Sequence, residues 1–286
     1  MLNKIETYFE LVKFSHTIFA LPFALASLFM VEKGIPPLDK TFWIVLAIVF
    51  ARTAGMAFNR YIDLPIDRLN PRSKKWVSVS GKVKPWEILL LGVVSSVAFI
   101  YTTYNLNLSA FYLSPVVILL LLLYPIGKRF TNYVHLILGL VYFFIPLAVS
   151  IALKGEIYLS MVSLGLAMAF WVSGFDILYA LQDLEFDRRF NVHSLPAKLG
   201  VEKSIKVARL FHTVTFIFTV VSGFLSNMGV TYYIGVTVLA IFLIYEHSLI
   251  KESDLSKINK AFFTVNGFIS IIFFVFVILD VFLGGT

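Results

Sequence analysis

The segment Asp63-Leu64-Pro65-Ile66-Asp67-Arg68 returns later in the chain as Asp183-Leu184-Glu185-Phe186-Asp187-Arg188. Each copy carries two carboxylates four residues apart, and each ends a long apolar run. Ionisable groups beside lipid are costly and mark functional sites. Two carboxylate pairs that face each other suit magnesium, which takes oxygen ligands and commonly shares them with substrate phosphate and water. Two such ions would balance the four carboxylates and leave a bound diphosphate's own charge to nearby cations. Arg60, Arg68, Arg72, Lys128, Arg188 and Arg189 are the candidates. Arginine grips phosphate bidentately, whereas lysine acts as a point charge.

On a helix, Asn59, Asp63 and Asp67 share one face. Pro65 is expected to interrupt a regular helix there. In the second copy Asp176, Tyr179, Asp183 and Asp187 follow a similar stripe. Asp176 lies deeper, behind Phe170-Trp171-Val172-Ser173-Gly174-Phe175, and must find a partner or face water. A lone pair of aspartates at this spacing is usually a solvated loop face. Two matched copies, each with arginine directly after, point to a site.

These residues have to be held by elements that live in lipid. The chain of 286 residues is 59% hydrophobic and 14% charged, with a mean hydropathy of +0.86, whereas a soluble domain carries about 25% charged residues. Nine apolar segments of spanning length run near 11–31, 41–60, 86–105, 109–126, 133–153, 158–182, 205–226, 229–249 and 261–284. Transmembrane strands need only about 9–11 residues, so segment length selects helices. Lys4 and Lys13 precede the first run and Ala24-Leu25-Ala26 resembles a cleavage site, but the run continues through Val31, as a retained helix would. There is no cysteine, which excludes disulfides and thiolate chemistry.

The two long connections, 61–85 and 183–204, each follow one acidic copy. Ser73 and Ser194, Gly81 and Gly200, and Lys84 and Lys203 fall at similar offsets. This predicts one domain over 1–286, built from a four-helix pseudo-repeat of about 1–126 and 127–250 plus a final helix. Basic residues crowd the connections after the even-numbered segments, whereas only Lys33, Lys40 and Lys154 fall on the other side. By the positive-inside rule, the amino terminus and both acidic loops are cytoplasmic and the carboxyl terminus is outside. That topology accounts for most of the net charge of +7, and no nucleic-acid or protein partner is expected.

At these motifs the chain resembles the UbiA-type family of intramembrane aromatic prenyltransferases. The family's NxxxDxxxD reads here Asn59-Arg60-Tyr61-Ile62-Asp63-Leu64-Pro65-Ile66-Asp67, running on to Asn70-Pro71-Arg72-Ser73. Its DxxYAxQDxxFD reads Asp176 to Asp187, followed by Ser194-Leu195-Pro196-Ala197-Lys198-Leu199-Gly200. Lys128-Arg129-Phe130-Thr131 looks like the family's KRxT loop, and the opening Lys13 to Pro22 matches a common subfamily form. Two positions depart. Where the family often has a second arginine followed by proline, this chain has Trp76-Val77, and a common glycine is Asn191. The first bears on one diphosphate contact; neither replaces a carboxylate.

The resemblance implies an all-α membrane protein, with nine transmembrane helices in a bundle around a central cavity that opens laterally to lipid. It implies Mg2+, a polyprenyl diphosphate donor and a small aromatic acceptor in the inner (cytoplasmic) membrane. Asp63, Asp67, Asp183 and Asp187 would hold magnesium, and Asn59, Arg72 and Lys128 would bind the donor. Asp176 and Tyr179 would orient donor or acceptor, or stabilise an allylic cation. The leading acceptor is 4-hydroxybenzoate, as in ubiquinone biosynthesis. A futalosine-derived or naphthoate acceptor of menaquinone biosynthesis is the alternative. From another class, a secondary transporter also combines repeats with intramembrane carboxylates.

Overall fold

The computed structural model describes residues 2–284, apart from the side chains of residues 2, 3, 15, 16 and 18. Its helices are α1 (Leu2–Leu11), α2 (Leu21–Glu32), α3 (Leu38–Asp67), α4 (Pro85–Tyr104), α5 (Leu108–Gly127), α6 (Val134–Lys154), α7 (Leu159–Ala180), α8 (Leu184–Arg189), α9 (Leu195–Leu199), α10 (Val201–Leu225), α11 (Val230–Leu249) and α12 (Asn266–Leu283). Short 3-10 turns occupy Phe14–Phe19 and Leu181–Asp183, and a π-turn, Lys260–Val265, leads into α12. Among the described residues, eight helical stretches are long and apolar enough to cross a membrane. Leu90, Val97, Leu119, Phe224, Ile241 and Ile244 are exposed on the outside of the bundle, as lipid-facing residues must be.

The first apolar segment differs from the expected single span. Lys13 takes a left-handed conformation with φ 47°, and the backbone then forms a 3-10 turn before α2 restarts at Leu21. Proline is tolerated in the first turn of a helix, where its missing N–H has no partner to lose. Pro22 sits there, so it starts α2 and does not kink a longer helix. The 12 residues of α2 reach about 18 Å, well short of a hydrocarbon core of about 30 Å. This helix packs inside the bundle, with Phe23 stacked 4.8 Å from Phe273 and 4.9 Å from Trp171.

Pro65 also behaves differently from expectation, since α3 runs through it to Asp67. Helix α3 ends two residues later, so the lost bond falls in the last turn. Arg129 Nη2 donates to the Ile62 carbonyl at 2.7 Å, next to the Tyr61 carbonyl that the proline deprives of its N–H partner. The irregular copy is the second, where α7 gives way to the 3-10 turn and α8 without any proline.

Helices α6 and α7 approach until backbone meets backbone. A Cβ on Gly139 would lie 2.6 Å from the Ala169 carbonyl oxygen, and one on Gly165 would lie 2.5 Å from that of Phe143. Small residues permit such approach between membrane helices. Ser173 Oγ donates to the His135 carbonyl across the same seam at 2.9 Å. The connections after α3 and α7 fold over one end of the bundle. The first is pinned by Val77 and Val83, which pack with Leu11, Ala57 and Ile88.

Candidate active site

Asn59, Asp63 and Asp67 descend one face of α3, while Asp176 and Tyr179 lie on α7, with Asp183 and Asp187 on the turn and short helix that follow. Together with Arg72 and Lys128 they line a single cavity of about 390 Å³. All nine predicted site residues therefore converge, from elements far apart in the chain.

The carboxylates are cross-tied. Lys128, just past α5, places Nζ 2.5 Å from Asp63 Oδ2, which also accepts from Asn59 Nδ2 at 3.3 Å. Arg72 forks onto Asp183, donating from Nε to Oδ1 at 2.8 Å and from Nη2 to Oδ2. Asn70 Nδ2 donates to the same Oδ1 at 2.8 Å. Burial alone would lower the Lys128 ammonium, but the carboxylates of Asp63, Asp67 and Asp176 outweigh it and hold the group above its ordinary value. Burial likewise opposes the Arg72 charge, and its bonds to Asp183 raise it further than burial lowers it.

The second member of each pair has no such cation. Asp67 Oδ2 is buried and lies 3.9 Å from Arg60 Nη1; among the described residues it accepts no hydrogen bond, and buried Asp63 Oδ1 likewise has no partner. Asp187 Oδ2 accepts from Ser194 Oγ at 2.8 Å. Orphaned carboxylate oxygens facing a cavity fit a cation. Among the described residues no three acidic or histidine side chains form a closed metal cage. That suits magnesium, which usually takes one or two carboxylates and completes its shell with water and substrate phosphates.

Several contributors escaped sequence reasoning. His135 on α6 sets Nδ1 2.6 Å from Asp176 Oδ2, and the Tyr124 hydroxyl lies 3.4 Å from that oxygen. This is the partner that buried Asp176 required. Trp76, at the departure from the family pattern, lies 3.9 Å from the Arg60 guanidinium and 5.3 Å from that of Arg72. Arg52 also lines the cavity; Nη1 donates to the Tyr142 hydroxyl at 3.3 Å, while Nε is buried without a partner. It lies seven residues before Asn59, so helical spacing places it on the same face. Of the candidate cations, Arg68, Arg188 and Arg189 lie outside the cavity. Arg188 instead donates to the Ala197 carbonyl at 3.0 Å, and Arg189 lies against Phe190.

The UbiA prenyltransferase family model matches residues 20–272. This chain belongs to the UbiA prenyltransferase family. The 4-hydroxybenzoate octaprenyltransferase of Pasteurella multocida (strain Pm70) is 30% identical over 277 residues, covering 94% of this chain and 93% of that protein. The apo structure of a UbiA homolog from Aeropyrum pernix K1 superposes with a TM-score of 0.84 at 29% identity, over 93% of this chain and 98% of that one. A UbiA homolog from Archaeoglobus fulgidus, bound to GPP and Mg2+, shares the fold with a TM-score of 0.74 at 18% identity, over 96% and 99% of the two chains. The UbiA chain is thus a multi-pass membrane enzyme of the prenyltransferase class, and the transporter reading is set aside.

Proposed function

We propose that this enzyme transfers a polyprenyl group from polyprenyl diphosphate to 4-hydroxybenzoate at the cytoplasmic face of the inner membrane, with Mg2+. The single observation that carries the acceptor is Arg52, a cavity-lining guanidinium that, among the described residues, has an unpartnered buried Nε and no carboxylate bonded to it. A partly desolvated guanidinium without a counter-ion is costly, and the carboxylate of 4-hydroxybenzoate would supply one. The name of the Pasteurella multocida relative agrees with that acceptor.

Asp63, Asp67, Asp183 and Asp187 would hold magnesium, which supplies Lewis-acid stabilisation of the charge that grows on the leaving diphosphate. Arg72 and Lys128, already anchored on Asp183 and Asp63, would be shared with the diphosphate, and Asn59 would support the same end. The Tyr179 ring lies 4.1 Å from Phe262 and its hydroxyl accepts from Arg72 Nη1 at 3.0 Å. Held in that way, it presents a π face that would attract an allylic cation. The apolar cavity walls keep water from competing with the acceptor ring.

The test is purified enzyme in lipid nanodiscs, given polyprenyl diphosphate, Mg2+ and a panel of aromatic acceptors with and without a carboxylate. Prenylated 4-hydroxybenzoate is the expected product, and Arg52→Ala should raise KM for carboxylate acceptors selectively. A preference for uncharged acceptors that Arg52→Ala leaves unaltered would contradict the assignment.

A further inference from the structure

Prenylation of an aromatic ring releases a proton, and the site has to receive it. Asp176 is the one cavity carboxylate outside the two acidic pairs. Its Oδ2 lies 2.6 Å from His135 Nδ1, while among the described residues Oδ1 has only the Tyr124 hydroxyl at 3.5 Å. His135 is 3% exposed. Its other nitrogen, Nε2, is met by the Leu195 backbone N–H at 3.3 Å. An N–H pointing at Nε2 requires a lone pair there, so the ring proton sits on Nδ1 and is donated to Asp176. The tautomer is fixed by the fold. Gly139 and Ser173 hold α6 against α7 one turn from the pair, and Ser194, next to Leu195, bonds Asp187.

We propose that Asp176 is the base that receives the proton lost from the acceptor ring, and that His135 is a positioning residue that holds the Asp176 carboxylate at the cavity wall. The inference rests on the prenyl-transfer reading above. As the allylic C–O bond breaks, its electron pair leaves with the diphosphate. A ring carbon gives a π pair to the allylic carbon and forms the new C–C bond. The C–H pair then returns to the ring, and the proton goes to Asp176 Oδ1. The departing diphosphate carries that proton away, which restores the carboxylate. His135 Nδ1 donates to Asp176 throughout, while Nε2 accepts from the Leu195 N–H.

The test compares wild type, Asp176→Asn, His135→Phe and His135→Asn in nanodiscs. Acceptor is supplied unlabelled or deuterated at the positions ortho to its hydroxyl, and melting temperatures are recorded with and without donor. A general base contributes roughly 100-fold or more, so Asp176→Asn should lose about that much turnover. It should also acquire a primary isotope effect that wild type lacks, with protection by the donor retained. A hydrogen bond to a charged group corresponds to roughly tenfold to 100-fold, so His135→Phe should lose about that much and show the same isotope effect. The amide of His135→Asn can still donate and should recover part of the loss. Variants without an isotope effect, or a His135→Phe enzyme with wild-type turnover, would overturn the proposal. Wild type that prenylates no acceptor would instead refute the functional reading itself.

Discussion

Arg72 and Asp183 form a bidentate pair that joins the loop after α3 to the end of α7. The pair bolts the first acidic motif's loop onto the second motif, so the two halves of the site are fixed relative to each other before substrate arrives. Arg72→Lys keeps the charge but loses the fork. We expect a donor KM raised about tenfold or more, the equivalent of roughly 1.4 kcal/mol, with the protein still folded. Steady-state kinetics over a donor series measures it, and an unchanged KM would detach Arg72 from the diphosphate.

Asp63 is buried and its partner Lys128 largely so, and removing one partner leaves the other charge poorly compensated. Breaking such a pair costs about 3–5 kcal/mol. Asp63→Ala should therefore lower the melting temperature in detergent, whereas Asp63→Ala combined with Lys128→Met should recover part of the loss. A double variant no more stable than the single one would show that the pair is not coupled.

The same pair fixes a pH dependence. The folded Lys128 value is raised above the unfolded one by its carboxylate neighbours. Its stabilising contribution is thus fully present below the ordinary lysine range, about 10.4, and is lost only as pH rises through the higher folded value. Between about pH 6 and pH 9 Lys128 stays charged, and replacing it with Gln should lower turnover without shifting the pH profile. A shifted limb in that window would mean that Lys128 titrates there.

Gly139 allows α6 to touch α7 and thereby sets the distance between His135 and Asp176. Gly139→Val would drive a side chain into the Ala169 carbonyl and Ser173. Overpacking of this kind costs roughly 1–3 kcal/mol. We expect a lower melting temperature and a turnover loss larger than that of Ala substitutions on the lipid-facing surface, such as Val97→Ala. Equal effects at both positions would mean that the seam does not position the site.

The acidic site was legible because its signal is local and duplicated. Asn59, Asp63 and Asp67 sit one turn apart, and Asp176 to Asp187 repeats the theme, so helical geometry alone put each set on one face. Helix spans were legible from hydropathy for the same reason, with α4, α5 and α6 starting and ending within a residue or two of the expected limits. Where hydropathy is blind to backbone conformation, the reading failed. Residues 11–31 are apolar enough to span, yet the left-handed Lys13 and helix-starting Pro22 divide them. His135, Tyr124 and Arg52 were not legible as cavity-lining residues, because packing alone brings them there. The role proposed for Arg52 rests on an unmet hydrogen bond that only the folded cavity reveals, and that proposed for His135 on a helix seam set by glycines on α6 and α7.

The most direct measurement is product formation from radiolabelled polyprenyl diphosphate and 4-hydroxybenzoate by the wild-type enzyme, Asp63→Ala and Asp183→Ala, each with Mg2+ and with EDTA. The account predicts labelled prenyl-hydroxybenzoate only from wild type with Mg2+, and all three proteins inserted normally in the membrane. Turnover that survives EDTA, or that both alanine variants retain, would contradict it.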